Sequence, residues 1–158
     1  MTEGLLPAPD QDSAPFWEFC ARGELRVQQC AACRRRRMPP RPMCPWCRSL
    51  ESIWEPTSGR GRVWSWVVPH PPLLAAYAEV APYNVVVVEL DDDPTIRFVG
   101  NVVSTPDGPL NQVDPATMWI GEPVRVCFAP PVDGIALPRW LRTAKPVLRS
   151  PTSEVPDL

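Results

Sequence analysis

The chain has 158 residues, 44% hydrophobic and 22% charged, which describes a soluble globular protein with room for one ordinary domain plus a small module. Its longest apolar run is too short to cross a bilayer, which excludes a transmembrane protein. The net charge of −2 is unevenly placed: from Cys20 to Arg62, ten Arg stand against three Glu, a local +7 that leaves −9 elsewhere and can mark a face for an anionic partner. The 23 prolines gather at the ends and joints, where they punctuate short strands and forbid long helices.

In chain order, residues 1–14 read as a flexible tail without periodicity. Ser13 is placed to cap a helix with Pro15 in its first turn, and Phe16, Phe19 and Cys20 share one face of it, with Glu18 and Arg22 on the other. So short a helix must pack on something, either its own neighbours or a partner. Leu25 to Gln29 is a short strand, and Ser52 to Glu55 a second one centred on Trp54. Between them stand Cys30-Ala-Ala-Cys33 and Cys44-Pro-Trp-Cys47, two C-x-x-C pairs separated by enough chain for a hairpin to bring them together. That spacing is that of a closed, tetrahedral four-thiolate zinc site whose contribution is folding energy, with iron in a rubredoxin-like site as the competing metal. A disulfide pairing is disfavoured because the polar, proline-rich N-terminus carries no apolar signal core, which points to the cytoplasm. The run Arg34, Arg35, Arg36 and Arg37 reads as a solvated hairpin tip or as a binding site for phosphate or carboxylate.

From Gly59 the period changes to two. Gly61 to Val68 is a strand with Val63 and the odd positions opposed to Trp64 and Trp66, ended by the corner Pro69-His70-Pro71-Pro72. Leu73 to Val80 is a short helix or a loop over the barrel mouth. Tyr83 to Leu90 is the strongest strand, apolar on both faces and therefore central; Ile96 to Val103 returns as its hairpin partner, bending at Gly100. Val124 to Ala129 and Leu137 to Leu141 complete four or five short strands, with Cys127 an ordinary buried thiol and a tail over 143–158. Such a set suggests a small closed barrel, of OB or SH3-like type.

Taken together, these residues resemble the zinc-ribbon plus OB-fold proteins of domain-of-unknown-function family thirty-five. The resemblance is carried by Phe16-Trp17, Gly23-Glu24-Leu25, the four cysteines, Pro39-Pro40-Arg41-Pro42, Ser58 to Val63, His70-Pro71, Pro82-Tyr83, Val88-Glu89-Leu90, Gly100 to Val103 and Ile120 to Val124. It implies a mainly β protein with an N-terminal helix and rubredoxin-like zinc ribbon over residues 15–56, then an OB-fold barrel over 57–142. It also implies a non-catalytic companion subunit that binds a thiolase-like enzyme, a thiolase or a steroid side-chain retro-aldolase, with an acyl-CoA held at the shared interface.

The candidate site residues are accordingly the metal ligands Cys30, Cys33, Cys44 and Cys47, with Zn(2+) structural. As contacts to the partner or to the coenzyme A thioester stand Arg34, Arg35, Arg36, Arg37, His70, Tyr83, Phe16 and Trp17. No catalytic constellation assembles locally: the only histidine is His70, and neither Cys20 nor Cys127 has a base nearby in sequence. The competing reading is an autonomous OB barrel binding single-stranded nucleic acid. The acidic barrel region and near-absence of Lys count against it.

Overall fold

The fold is that of a computed structural model, which describes residues 5–144. Of the tails expected over 1–14 and 143–158, residues 1–4 and 145–158 lie outside the described residues. Helix α1 (Ala14–Ala21) begins with Pro15 in its first turn and buries Phe16 and Cys20, one turn apart on the same face. Ser13 does not cap it through its side chain. Its hydroxyl instead donates to Asp10 Oδ1 at 2.6 Å, and the same carboxylate accepts the Ser13 N–H at 2.8 Å, so the polar anchor lies one turn earlier than expected. The helix ends where Gly23 takes φ 76°, which lets the Gly23 and Glu24 amides donate back to the Cys20 and Phe19 carbonyls.

The ribbon is a three-stranded antiparallel sheet in which β1 (Arg26–Cys30) lies between β2 (Arg36–Arg37) and β3 (Ser52–Pro56). Its pairings Gln28↔Arg37 and Gln28↔Trp54 put those three side chains on one face, and Val27↔Glu55 and Gln29↔Arg36 place the next set on the other.

The barrel is built from β4 (Arg60–Val67), β5 (Val85–Leu90), β6 (Arg97–Gly100), β7 (Val102–Val103), β8 (Pro123–Phe128) and β9 (Pro138–Arg142), in the order β6-β5-β4-β8-β9-β7. Only Asn101 separates β6 from β7, and β7 pairs parallel with β9, so one bent strand closes the sheet on itself. This Greek-key closure selects the OB type from the two barrels that periodicity left open. The bend falls at Gly100 as expected, and a Cβ there would stand 3.1 Å from the indole Nε1 of Trp140. Asn84, fully buried just before β5, clasps the strand beyond the bend: its Nδ2 donates to the Val102 carbonyl at 2.9 Å and its Oδ1 accepts the Val102 N–H at 2.7 Å.

Two expectations give way to a bulge. The β4–β5 register shifts between Val63 and Ser65, so Trp64 is thrown outward and the alternation beyond it inverts. Trp66 therefore packs against the core, and Val67 faces solvent with Trp64. The Leu73 to Val80 stretch holds one helical turn, α2 (Ala75–Ala78), with none of its residues buried.

One apolar cluster runs through both halves. Phe16, Cys20, Leu25 and Val27 join Val63, Val86, Val88, Leu90, Phe98, Val124 and Trp140. The Phe16 ring stacks on Phe98 at 6.1 Å between centroids, and Phe98 lies against Trp140 at 6.4 Å. The helix is thus packed onto the barrel interior, the in-chain alternative of the two the sequence left open.

Candidate functional site

Each C-x-x-C pair forms a tight knuckle. Arg34 N–H donates to the Cys30 carbonyl at 3.0 Å, and Arg48 N–H to that of Cys44 at 2.9 Å. Both arginines follow the second cysteine of their pair and both are left-handed, with φ 62° and 64°. Strand β1 delivers Cys30 at its end, and the hairpin returns the second knuckle until all four Sγ atoms lie within 4.8 Å of one another. Cys30 and Cys47 Sγ stand 3.5 Å apart, and Cys33 and Cys44 Sγ 3.6 Å. Those separations are far from a disulfide bond, and all six cysteines are free. They approach the edge of a tetrahedron around a metal with bonds of about 2.3 Å, so the four cysteines are arranged to bind a zinc ion. The Cys33 backbone N–H, 3.4 Å from Cys30 Sγ, is the largest of the influences that bring the Cys30 thiol down to about 6, the direction that suits a thiolate ligand. With four protein ligands the site is closed, and a zinc ion held there would supply folding energy to a sheet with little core of its own.

The arginine run is not one solvated tip. Arg34 and Arg35 are exposed beyond the first knuckle, with the Arg35 guanidinium 5.3 Å from the Trp46 ring centroid. Arg36 and Arg37 form β2. Arg36 pairs with Glu55 at 3.1 Å across the sheet. Arg37, only 5% exposed, donates from Nε to Gln28 Oε1 at 2.6 Å and from Nη2 to the Arg41 carbonyl at 3.2 Å, both neutral acceptors. Local charge could not reveal this, because the pairing that buries Arg37 comes from β1. The run borders a cleft of about 830 Å³ between ribbon and barrel, whose lining includes Gln29, Trp46 and, from the barrel, Asp92 and Thr95.

The other candidate contacts are dispersed. Phe16 is 3% exposed and belongs to the core, so it offers no partner surface; Trp17 is half-buried against the same cluster. Tyr83 is buried beneath Tyr77, with centroids 5.9 Å apart, and burial raises its hydroxyl pKa. His70 is exposed in the proline corner. Of the two cysteines outside the ribbon, Cys20 is pushed up to about 12 by burial and Cys127 is raised by the same cause, which keeps both as protonated, unreactive thiols.

Sequence reading missed the fully buried Glu122, whose carboxylate meets Arg142 Nε at 2.6 Å and thereby ties the loop before β8 to the end of β9. Its burial raises the carboxyl pKa and Arg142 opposes that shift. An isolated Glu in a loop gives no sign of this partner twenty residues away.

No helix among the described residues is long and apolar enough to cross a membrane. Residues 17–51 match the family described as ChsH2, rubredoxin-like zinc ribbon domain, and residues 54–129 that described as ChsH2, C-terminal OB-fold domain. The chain is similar to a probable enoyl-CoA hydratase alpha subunit of Thermomonospora curvata, 36% identical over 118 residues, 75% of this chain and 33% of that protein. A 3-oxo-4,17-pregnadiene-20-carboxyl-CoA hydratase alpha subunit of Mycobacterium tuberculosis is 32% identical over 136 residues, 86% of this chain and 38% of that protein. The chain thus spans well under half the length of these two curated relatives. A solved structure described as Ltp2-ChsH2(DUF35) aldolase superposes with TM-score 0.70 at 31% identity, covering 88% of this chain and 100% of that one. Ribbon, barrel and their order agree throughout, and the chain belongs to the ChsH2 family of zinc-ribbon plus OB-fold proteins.

Proposed function

We propose that the chain is a non-catalytic accessory subunit that binds a thiolase-like partner, a thiolase or a steroid side-chain retro-aldolase, and helps to form or stabilise its acyl-CoA site. The observation that carries this reading is the structural likeness over the whole length of a chain described as part of an Ltp2-ChsH2(DUF35) aldolase. An acyl-CoA is supported as the substrate class by the relatives, one named for an enoyl-CoA and one for a steroid-derived carboxyl-CoA. The chain's own residues fit a subordinate role, since both thiols outside the ribbon are buried and His70 stands alone in its corner. The six free cysteines suit a reducing compartment, and we read the place of action as the cytoplasm.

A surface for the partner is available on the outer face of β4, β5 and β6. The pairings Val67↔Val85 and Val87↔Val99 put four valines on one side of the sheet, with Trp64 thrown out beside them by the bulge. Val67 and Val99 are 61% and 68% exposed, an apolar face that burial against a partner would cover. Co-expression with a thiolase-like protein encoded nearby tests both parts. A stable complex is expected with the native chain, and Val99→Glu is expected to abolish it while leaving the melting temperature of the accessory chain unchanged. A native chain that elutes alone and leaves that enzyme's stability and activity unaltered would refute the reading.

A further inference from the structure

We propose that the cleft between ribbon and barrel is a binding site for a nucleotide phosphate, with Arg34 and Arg35 holding the phosphate, Gln29 a sugar hydroxyl and Trp46 the base. The volume, about 830 Å³, falls in the range of small-molecule sites. Arg34 and Arg35 have no carboxylate partner among the described residues, in contrast to Arg36, which is taken by Glu55. Behind them Arg37 adds a buried positive charge balanced by neutral acceptors only, which raises the potential of the whole lining. The two aspartates on the barrel side already have hydroxyl partners: Asp92 accepts from the Ser58 hydroxyl, in the segment before β4, at 2.6 Å, and Asp93 from the Thr95 hydroxyl of its own turn at 2.6 Å. Neither aspartate takes Arg34 or Arg35 in an ion pair, and the guanidinium fork of an arginine suits phosphate oxygens.

Gln29 supplies the second and independent observation. It is 7% exposed, lies in the lining opposite Arg36 in the sheet register, and its Oε1 has no hydrogen-bond donor. A buried acceptor left without a donor carries a desolvation cost, and a ligand hydroxyl relieves it. Trp46 in the lining is half-exposed, and once Arg35, now 5.3 Å from its ring centroid, turns to the phosphate, the ring offers a plane for an aromatic base. Phosphate, hydroxyl and base together describe a nucleotide. Two sources share that chemistry: a free adenine nucleotide and the 3′-phosphoadenosine diphosphate end of coenzyme A. Only the second rests on the accessory reading above.

The test is a titration of the zinc-loaded chain, followed by amide and indole NMR shifts, with coenzyme A, adenosine 3′,5′-bisphosphate, ADP and inorganic phosphate. The nucleotides are expected to move the signals of Arg34, Arg35, Gln29 and the Trp46 indole. The double variant Arg34→Ala/Arg35→Ala is expected to weaken binding about tenfold or more. Gln29→Leu is expected to weaken binding without lowering the melting temperature, which a purely structural glutamine would not do. Arg125→Ala, on the exposed side of β8, leaves binding unchanged. Tighter binding of coenzyme A than of ADP assigns the site to the cofactor, and equal binding assigns it to a free nucleotide. Shifts absent at millimolar nucleotide, or inorganic phosphate binding as tightly as the nucleotides, would overturn the proposal. Because partner binding is read separately by co-elution, a silent cleft in a chain that still forms its complex leaves the accessory role standing. The reverse result would leave the cleft standing and remove that role.

Discussion

The ribbon and the barrel hold themselves together in different ways. In the barrel, six strands close around Val63, Val86, Val88, Leu90, Phe98, Val124 and Trp140, and burial of those side chains is its stabilising term. The ribbon gives that cluster the buried Leu25 and Val27, with Met38 and Trp54 partly buried against it. Its far end carries the four cysteines together with exposed Met43, Trp46 and Leu50. One end of the ribbon is therefore anchored in apolar core and the other in metal coordination. The lesson is that the two anchors fail separately, and that the basic cleft lies between them.

The largest expected effect comes from removing the metal anchor alone. Chelating zinc, or replacing Cys44 by Ser, withdraws a binding energy on the order of 10 kcal/mol from the ribbon. Amide signals from β1 to β3 should collapse, while hydrogen-exchange protection of β5 survives; loss of both together would show the barrel to depend on the metal. Next in size, Phe16→Ala removes the ring that stacks on Phe98 and should cost about 3–5 kcal/mol, measured by urea unfolding. Barrel and ribbon probes should shift together, since this anchor is shared.

Asn84→Ala acts inside the barrel only. It strands the buried Val102 N–H and C=O and should cost about 2 kcal/mol or more, with faster amide exchange at Val102 and no change in zinc affinity. The smallest effect is expected at the second knuckle. Arg48 sits at φ 64°, and Arg48→Gly should relieve left-handed strain of about 1 kcal/mol, partly offset by glycine's entropy, for a slight rise in ribbon stability at unchanged zinc stoichiometry.

What could be read from the residues follows the range of the interactions. The knuckles were legible because their ligands repeat at fixed local spacing, and the strands because alternation survives in a sheet with one buried face. The face of Trp66 was not, because the bulge at Trp64 is a property of the pairing with β5. Arg37 looked like part of a solvated run and is buried by Gln28 from another strand. Phe16 leaned only slightly toward the core over a partner surface, and the position of Phe98 decides between them. Ser13 failed as a helix cap because Asp10, three residues before it, engages the same hydroxyl. The clasp of Asn84 on Val102 and the Glu122–Arg142 pair leave no periodic trace at all, since each joins segments distant in sequence.

The measurement that bears most directly on the account is recovery of the tagged chain from its native cells, with the accompanying proteins identified by mass spectrometry. A thiolase-family subunit in stoichiometric amount is the predicted result, and it would name the enzyme whose acyl-CoA substrates to assay. Recovery of the chain alone, or with nucleic acid in place of an enzyme, would contradict the accessory role.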